Sequence, residues 1–349
     1  MRHLLVIKLA AIGDVTIATQ ALASRGGALK SGSWTVHWIL DHGLVPYARA
    51  LHEELGLPVR YYGINSAALF RGSKIRQIWE ALRVAAIVRF IRPDMAAVLH
   101  RDDRYARLLK LAGVQRMELM PRKTARESGA MEALFERLGL VADTPETVGV
   151  VATTKNSCRR KLRIGILVGG GRNQKVLYRE KTWPHFGDLA LILARSGRYE
   201  ISLFGASEDR AAADEIMERL EKEMPHEASA YDFVGALMLE QLPGAIRQLD
   251  ALLSVDTGPA HLAALLFDKP HQRVFTLFGP TDPEVWAPTP RGPARVVVLT
   301  QKLECAPCYK NDGAFTTCRF SGREFAKCMT ELNAVDVYTT MDRELTQPS

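Results

Sequence analysis

The stretch Leu252-Leu-Ser-Val-Asp256-Thr257-Gly258-Pro259-Ala-His261-Leu-Ala-Ala264 decides the predicted fold. Its apolar run, 251–255, is short and bounded by turn residues, which is typical of a strand in a parallel sheet covered on both faces. Thr257 is a natural N-cap and Pro259 suits a first helical turn, so the chain is predicted to pass from strand to helix here. Asp256 then lies at the carboxyl end of the strand.

The start of this predicted helix is a candidate anion site. A first helical turn leaves N–H groups unpaired and carries roughly half a positive charge, which favours a phosphate. Gly258 lets a ligand approach the backbone closely. An ordinary strand-to-helix turn, in which Asp256 and Thr257 serve only as caps, fits the same residues, and the stretch alone leaves both interpretations open.

Strands and helices alternate along the rest of the chain. Apolar runs predict strands in the first half at 2–9, 34–40, 59–64, 95–99 and 116–120, and in the second half at 162–168, 201–204, 251–255, 274–278 and 294–299. Helical periodicity is clear over 210–221 and over 75–91, whose shared apolar face consists of Ile75, Ile78, Trp79, Leu82 and Ala86. This alternation predicts an α/β protein with doubly wound parallel sheets.

Length and composition indicate two domains. The chain has 349 residues, which is longer than a chain that usually folds around a single hydrophobic core. Thr, Pro, Asp and Asn concentrate over 141–157, where we place a linker between domains at 1–150 and 160–330. A final segment, 331–349, is expected to pack back toward the first domain. Two such sheets are expected to bind ligands in the cleft between their carboxyl-end loops.

The charge of the chain indicates an acidic partner. A net charge of +7 suits nucleic acid, an anionic membrane surface or a phosphorylated ligand. No apolar run approaches the roughly 18 residues of a membrane span, and the N-terminus enters a strand without a signal-peptide pattern. The sequence therefore predicts a cytosolic protein.

Several short motifs follow one another in a characteristic order. They are Val6-Ile-Lys-Leu-Ala-Ala-Ile-Gly13-Asp14-Val15, Lys181-Thr-Trp183-Pro184, Leu203-Phe-Gly205, Asp256-Thr-Gly258-x-x-His261 and Phe278-Gly-Pro-Thr-Asp282-Pro. Together they resemble glycosyltransferase family 9, the heptosyltransferases. The resemblance implies a GT-B fold, with two Rossmann-like lobes facing across a cleft. It also implies inverting transfer of heptose from ADP-heptose to a lipopolysaccharide inner-core acceptor on the cytoplasmic face of the inner membrane, with no cofactor required for catalysis.

Inverting transfer needs a base for the acceptor hydroxyl and positive charge for the departing diphosphate. The resemblance assigns the base to Asp14, on a glycine turn at a strand end. An alternative role for Asp14 is the N-cap of the first helix. Lys181 is assigned to the diphosphate, the alternative being a solvated lysine among the basic residues Arg172, Lys175 and Arg179.

The remaining donor contacts are expected in the second domain. Asp256 is expected to accept from sugar hydroxyls, while Thr257 and Gly258 offer donors to phosphate. His261 is a candidate for a hydrogen bond to phosphate or sugar, or else a packed core residue. Glu208 is the candidate for the ribose hydroxyls, with Asp209 beside it; either residue also suits a helix cap.

Basic residues of the first domain are candidates for acceptor binding. Arg101, Arg104, Arg107 and Lys110 are predicted to follow one helix and to meet a lipid-linked anionic saccharide or membrane headgroups, or only solvent. Peripheral contact with the inner membrane is therefore expected.

Cysteines cluster near the C-terminus, within 303–329. Cys305-x-x-Cys308 has the spacing of a metal knuckle, and Cys318 and Cys328 follow, whereas Cys158 stands alone. In a cytosolic chain four such thiols suggest a structural zinc or iron site rather than disulfides, with free buried thiols as the alternative.

Other function classes remain open at this point. One is a GT-B transferase that uses another nucleotide sugar or a protein acceptor, and another is a noncatalytic nucleotide-binding protein that kept the fold. A nucleic-acid-binding protein with a cysteine-metal module fits the positive charge. The chain lacks a base-stacking aromatic pattern or a recognisable reading motif, however, so no nucleic-acid partner is expected.

Overall fold

The computed structural model describes residues 1–9, 11–121, 126–143, 160–170, 172–173, 176–224, 229–309 and 318–346. The chain divides into two compact units, the first made of 1–144 with 239–243 and the second of 145–238 with 244–349. Most of the predicted linker, 141–157, lies outside the described residues, and so does Cys158.

The first unit is built on a parallel sheet. Its described strands are β1 (Arg2–Ile7), β2 (Trp34–Asp41), β3 (Val59–Ile64), β4 (Met95–Val98) and β5 (Met117–Leu119), in the order β3-β2-β1-β4-β5. Its helices are α1 (Ile12–Ala23), α2 (Gly26–Lys30), α3 (Val45–Glu54), α4 (Ser66–Arg71), α5 (Lys74–Ile91), α6 (Asp103–Leu111) and α7 (Glu127–Arg137). The chain lays β2 and β3 on one side of β1 and then crosses to β4 and β5 on the other. The connections therefore change sides between β1 and β4.

The second unit repeats this plan. Its described strands are β6 (Leu162–Leu167), the hairpin β7 (Arg172–Asn173) and β8 (Val176–Leu177), β9 (Tyr199–Phe204), β10 (Ala230–Asp232), β11 (Ala251–Val255), β12 (Arg273–Phe278) and β13 (Arg295–Thr300). Its helices are α8 (Phe186–Arg195), α9 (Arg210–Glu223), α10 (Leu242–Arg247, which begins in the first unit), α11 (Gly258–Leu266), α12 (Pro283–Trp286), α13 (Lys327–Thr330) and α14 (Ala334–Thr346). The main sheet is parallel, in the order β10-β9-β6-β11-β12-β13, so its connections change sides between β6 and β11.

These strands are where the apolar runs predict them. Strands β11 and β12 are buried along their whole length, because both faces of a parallel sheet are covered. Each predicted strand matches an observed one within two residues at either end, which confirms the α/β fold. Strand β10 escaped prediction because its three residues, Ala-Tyr-Asp, lie at a sheet edge and form no apolar run.

The C-terminal helix α14 packs within the second unit. It lies against α8, and its Val337 and Met341 are buried in the core of that unit. Tyr199 of β9 also donates a hydrogen bond of 2.7 Å to Asp342 Oδ1. The contacts described for α14 are thus with α8 and the core of its own unit, and the expectation that 331–349 packs back toward the first domain stays a prediction.

Helix α5 packs through a face other than the one its periodicity singles out. Val84, Val88 and Ile91 are buried in a core cluster of the first unit. By contrast, the predicted apolar face is exposed, and Trp79 keeps 70% of its surface accessible. The helix thus has apolar residues on two sides, and only one side packs.

Across the described ranges, we find no helix that combines the length and the apolar character needed to cross a membrane.

Candidate functional site

In the first unit, Asp14 lies at the point where the sheet connections change sides. It belongs to the first turn of α1, directly after β1. Ligands of open α/β sheets bind at such points, outside the carboxyl ends of the strands. Asp14 is not the N-cap, because that position is taken by Ala11, at φ 62°. A carboxylate in a first helical turn is stabilised by the helix dipole, and the Asp14 side chain keeps 31% of its surface exposed.

Lys8 is the immediate partner of Asp14. Its Nζ lies 3.3 Å from Asp14 Oδ1 and donates a 2.9 Å hydrogen bond to the backbone oxygen of Leu99, after β4. Sequence reasoning missed this residue, although a lysine inside the apolar run of β1 is a visible signal. Lys8 is 5% exposed, and a buried ammonium needs such partners.

His100 fixes the backbone that leads into the Asp14 turn. Its Nε2 accepts a 2.8 Å hydrogen bond from the N–H of Leu9, and its ring stacks on Tyr105 at 4.2 Å. Burial, and then the nearby Lys8 ammonium, lower the pKa of His100 to about 3. The imidazole is therefore neutral at pH 7, as its acceptor role requires.

The predicted acceptor arginines are engaged inside the first unit. Arg101 lies before α6 rather than on it, and it forms an ion pair with Glu127. Arg104 pairs with Asp102, from Nε to Oδ2 at 2.7 Å, and its guanidinium lies over the Phe70 ring at 4.7 Å. The prediction that Arg101 follows the same helix as Arg104 was wrong.

In the second unit, the candidate donor site lies at the corresponding crossing, where β6 and β11 are neighbours. Residues 168–170 follow β6 and pass close to the side chains of Asp209 and Val255. A Cβ atom added at Gly169 would lie 1.9 Å from Asp209 Oδ2, and one at Gly170 would lie 2.2 Å from Val255 Cγ2. Only glycine fits these positions as the chain stands; Gly171 lies outside the described residues.

Lys181 and Asp256 contact each other directly. Lys181 Nζ donates to Asp256 Oδ2 at 2.8 Å, and the two side chains are 15% and 11% exposed. The alternative of a solvated surface lysine is therefore wrong for Lys181. Of the neighbouring basic residues, the side chain of Arg172 and all of Lys175 lie outside the described part of the chain.

The turn that carries Lys181 is anchored in the core. Trp183 is 1% exposed, and its Nε1 donates a 2.6 Å hydrogen bond to the backbone oxygen of Leu332, between α13 and α14. Glu180 accepts a 3.2 Å hydrogen bond from the N–H of Cys318. The Lys-x-Trp-Pro motif thus places Lys181 next to an anchored tryptophan, whereas Thr182 and Pro184 are exposed.

Helix α11 begins at Gly258, two residues after Asp256. Thr257 is the N-cap residue, as predicted, but it makes no side-chain cap hydrogen bond; its hydroxyl donates to the Val255 oxygen at 3.2 Å. Gly258 and Pro259 form the first turn. The dipole of this nine-residue helix and its first-turn N–H groups favour an anion at this end. His261, further along α11, is 7% exposed.

Two acidic residues follow β9. Glu208 is exposed and accepts from the Ser207 hydroxyl at 3.0 Å. Asp209 accepts a 2.9 Å hydrogen bond from the N–H of Ala206, so it acts as a cap, as the alternative interpretation had it.

Tyr309, missed by sequence reasoning, lies near Asp256. Burial, followed by the nearby Tyr178 and Asp256, raises the pKa of the Tyr309 hydroxyl.

The four C-terminal cysteines lie together in the second unit. Cys305, Cys308, Cys318 and Cys328 line one cavity of about 550 Å³. Burial and the neighbouring thiols raise the pKa of Cys328 to about 12 and also raise that of Cys308. In the described part of the chain, no group of three or more His, Cys, Asp or Glu side chains is arranged to hold a metal ion. The geometry therefore gives no support to the predicted structural zinc or iron.

Comparison with known proteins identifies the family. Residues 80–318 match the model of glycosyltransferase family 9 (heptosyltransferase). Lipopolysaccharide heptosyltransferase 2 of Salmonella typhimurium is 35% identical over 121 residues, or 34% of this chain and 32% of the relative. The match thus spans about a third of that relative's length.

Two solved structures share the fold over nearly the whole chain. ADP-heptose lps heptosyltransferase II of Escherichia coli superimposes with a TM-score of 0.68 at 18% identity, covering 99% of this chain and 98% of its own. Escherichia coli heptosyltransferase WaaC with ADP gives 0.65 at 18% identity, covering 98% and 99%. At this identity the likeness concerns the GT-B fold alone. Because the family model matches well over half of its residues, the chain belongs to glycosyltransferase family 9, the heptosyltransferases.

Proposed function

We propose that this chain is an inverting glycosyltransferase that transfers heptose from ADP-heptose to a lipopolysaccharide inner-core acceptor, with Asp14 as the general base. The observation that carries the proposal is the position of Asp14. It is a partly exposed carboxylate at the crossing point of the first sheet, held by a buried lysine 3.3 Å away. Family membership indicates glycosyl transfer as the reaction class. The first unit would supply the base, and the second unit would bind the donor.

The donor would bind to the second unit. A diphosphate carries the negative charge that the first turn of α11 and Lys181 both favour. Asp256 would accept hydrogen bonds from sugar hydroxyls, and exposed Glu208 would accept from the ribose. His261, on α11, would add a hydrogen bond to phosphate or sugar. An ADP-sugar is chosen because the related WaaC structures are described with ADP and with ADP-2-deoxy-2-fluoro heptose.

The Lys181–Asp256 ion pair suggests how the donor is received. In the absence of phosphate, Asp256 balances the charge of Lys181 at 2.8 Å. An arriving diphosphate competes for the ammonium, which frees one carboxylate oxygen of Asp256 for a sugar hydroxyl. Binding of the diphosphate by Lys181 would therefore make Asp256 available for the sugar.

The transfer itself is a single displacement at the anomeric carbon. Asp14 takes the proton from the acceptor hydroxyl while the oxygen forms a bond to the anomeric carbon on the face opposite the nucleotide. The bond from that carbon to the diphosphate oxygen breaks, and its electron pair leaves with ADP. Lys181 and the α11 dipole stabilise the charge that develops there. One displacement inverts the configuration of the sugar.

Lys8 is proposed to position the base. By holding one Asp14 oxygen, it leaves the other for the acceptor hydroxyl. The lipid-linked acceptor would place the reaction at the cytoplasmic face of the inner membrane.

Calorimetric titration with ADP, UDP, GDP and ADP-heptose tests the donor assignment. We expect selective binding of ADP, and Lys181→Ala should weaken both ADP and ADP-heptose by about tenfold or more, because a charge-assisted contact is lost. Asp256→Ala should weaken ADP-heptose by about tenfold relative to ADP, since it removes a sugar contact. Lys161→Ala, a change at an exposed lysine of the same unit, is the control.

A transfer assay with a lipopolysaccharide inner-core acceptor tests the base. Asp14→Asn should slow turnover by roughly 10²- to 10⁴-fold with ADP binding unchanged, whereas Asp103→Asn, in the first turn of α6, should not. Preference for UDP or GDP would replace the donor assignment by another nucleotide sugar. ADP binding without turnover, or full turnover in Asp14→Asn, would favour the noncatalytic alternative or another base.

A further inference from the structure

Helix α5 carries an apolar stripe that the first unit leaves uncovered. Its members are Ile75 (70% exposed), Ile78 (59%), Trp79 (70%), Leu82 (59%) and Phe90 (82%). At 100° per residue these positions fall on one side of the helix, over a length of about 22 Å. Large apolar side chains that are exposed singly need no explanation, but a contiguous set marks an interaction surface.

The opposite side of α5 holds the stripe in place. Val84, Val88 and Ile91 are buried in the core cluster of the first unit. The helix also packs on α6. The stripe is therefore presented by a fixed helix that does not need to fold upon meeting its partner.

Exposed basic residues accompany the stripe. Arg76 and Arg83 follow one edge, and Arg89 lies near the other edge, at an angle between those of Ile78 and Leu82; all three are exposed. Glu80, which pairs with Arg83 at 3.6 Å, lies toward the packed side of the helix, with 16% of its side chain exposed. The exposed side therefore combines apolar side chains with positive charge.

We propose that this side of α5 docks the protein on an anionic phospholipid bilayer, with the helix lying in the plane of the interface. Interfacial helices join an apolar face that enters the headgroup region to flanking cations that meet anionic lipids. Trp79, at the middle of the stripe, suits the headgroup level, where its ring is half in apolar surroundings. A second copy of the chain fits less well, because apposed stripes would bring two sets of arginines together.

Sedimentation with vesicles measures the docking on the full chain. We expect binding to vesicles of phosphatidylethanolamine with phosphatidylglycerol, weaker binding to pure phosphatidylcholine, and loss of binding as salt is raised. Ile78→Ser with Leu82→Ser should weaken binding roughly thirtyfold. The matched control is Tyr231→Ser with Val335→Ser, which removes apolar side chains that are 50% and 60% exposed elsewhere and should leave vesicle binding unchanged.

Trp79 offers a direct report of insertion. Of the other four tryptophans, Trp34, Trp38 and Trp183 are at most 7% exposed and Trp286, in the second unit, is half-buried, so quenching by brominated lipid should fall mainly on Trp79. Trp79→Phe should abolish most of the quenching, while the protein should still sediment with the vesicles.

Three results would overturn the proposal. They are absence of vesicle binding at low salt, equal binding by the stripe variant and its control, and a stripe variant that changes only the oligomeric state in analytical ultracentrifugation. The last result would assign the stripe to a second copy of the chain. Because these vesicles contain no saccharide or nucleotide, their binding tests the helix surface separately from the proposed transfer reaction.

Discussion

Lys8 Nζ joins Asp14 Oδ1, at 3.3 Å, to the backbone oxygen of Leu99, at 2.9 Å, and so connects the ends of β1 and β4. A positioning role predicts that Lys8→Met slows heptosyl transfer at least tenfold, because the Asp14 carboxylate loses its orienting partner. Lys8→Arg should recover part of the rate, and ADP affinity should be unchanged in both. The measurement is kcat beside an ADP titration, with Lys30→Met as the surface control. A rate equal to wild type in Lys8→Met would remove Lys8 from the site.

Gly170 predicts a suppressor pair. In Gly170→Ala the new Cβ would lie 2.2 Å from Val255 Cγ2. The strand end that carries Asp256 must therefore shift, and we expect a loss of stability of about 1–3 kcal/mol and roughly tenfold weaker ADP binding. Adding Val255→Ala removes the clashing methyl group, so the double variant should bind ADP better than Gly170→Ala alone. Gly129→Ala, in α7, where a Cβ meets nothing within 4 Å, should leave ADP binding unchanged and should not lower stability. Failure of the second substitution to restore binding would contradict this account.

Buried neutral histidines predict acid sensitivity of the first unit. Burial lowers the pKa of His52 to about 3, and burial with Lys8 does the same for His100. Their folded pKa values lie below the unfolded value near 6.5, so the unfolded chain binds more protons between pH 6.5 and pH 3. The free energy of unfolding should therefore fall as pH decreases through this window, by up to about 1.4 kcal/mol per pH unit for each histidine.

Denaturant titrations at several pH values check this slope. His52→Gln should flatten it by up to about 1.4 kcal/mol per pH unit, because one titrating group is removed. His42→Gln, at a side chain that is 67% exposed, should leave the slope as it is. An unchanged slope in His52→Gln would show that the imidazole is not held neutral.

The cysteine cluster predicts an order of thiol reactivity. With a pKa of about 12, Cys328 has a thiolate fraction on the order of 10⁻⁴ at pH 8. We therefore expect iodoacetamide to modify Cys328 last and Cys308 late, after Cys305 and Cys318, as followed by peptide mass spectrometry. Denatured protein, in which all sites react alike, is the control. Protection of all four thiols until a chelator is added would instead indicate a bound metal.

The sequence identifies most strands because parallel strands covered on both faces leave continuous apolar runs, as β11 and β12 do. It locates the Asp14 and Asp256 turns because each directly follows such a strand. It does not pair Lys181 with Asp256, since the two residues are 75 positions apart and the intervening chain carries no local signal for a contact. In the same way, the partnership of Lys8 with Asp14 depends on the crossing of β1 and β4.

Helix α5 shows a second limit of prediction from the sequence. Periodicity groups Ile75, Ile78, Trp79 and Leu82 on one side, but it does not say which side meets the core. Val84, Val88 and Ile91 pack instead, because this side of α5 faces the core cluster of the first unit. The ambiguity is smaller for α14, whose Val337 and Met341 are buried and whose exposed side carries one large apolar residue, Val335.

The hydrogen bond from Trp183 to Leu332 anchors the turn that carries Lys181 to the segment between the last two helices, α13 and α14. The two residues are 149 positions apart in the chain, yet Trp183 belongs to the same motif as Lys181. Ending the chain before α13 would remove the hydrogen bond from Trp183 to Leu332, and fusing a bulky tag that disturbs α14 would weaken it. Nucleotide affinity would then decline because the Lys181 turn loses its anchor, and a truncation would also remove Val337 and Met341 from the core of the second unit.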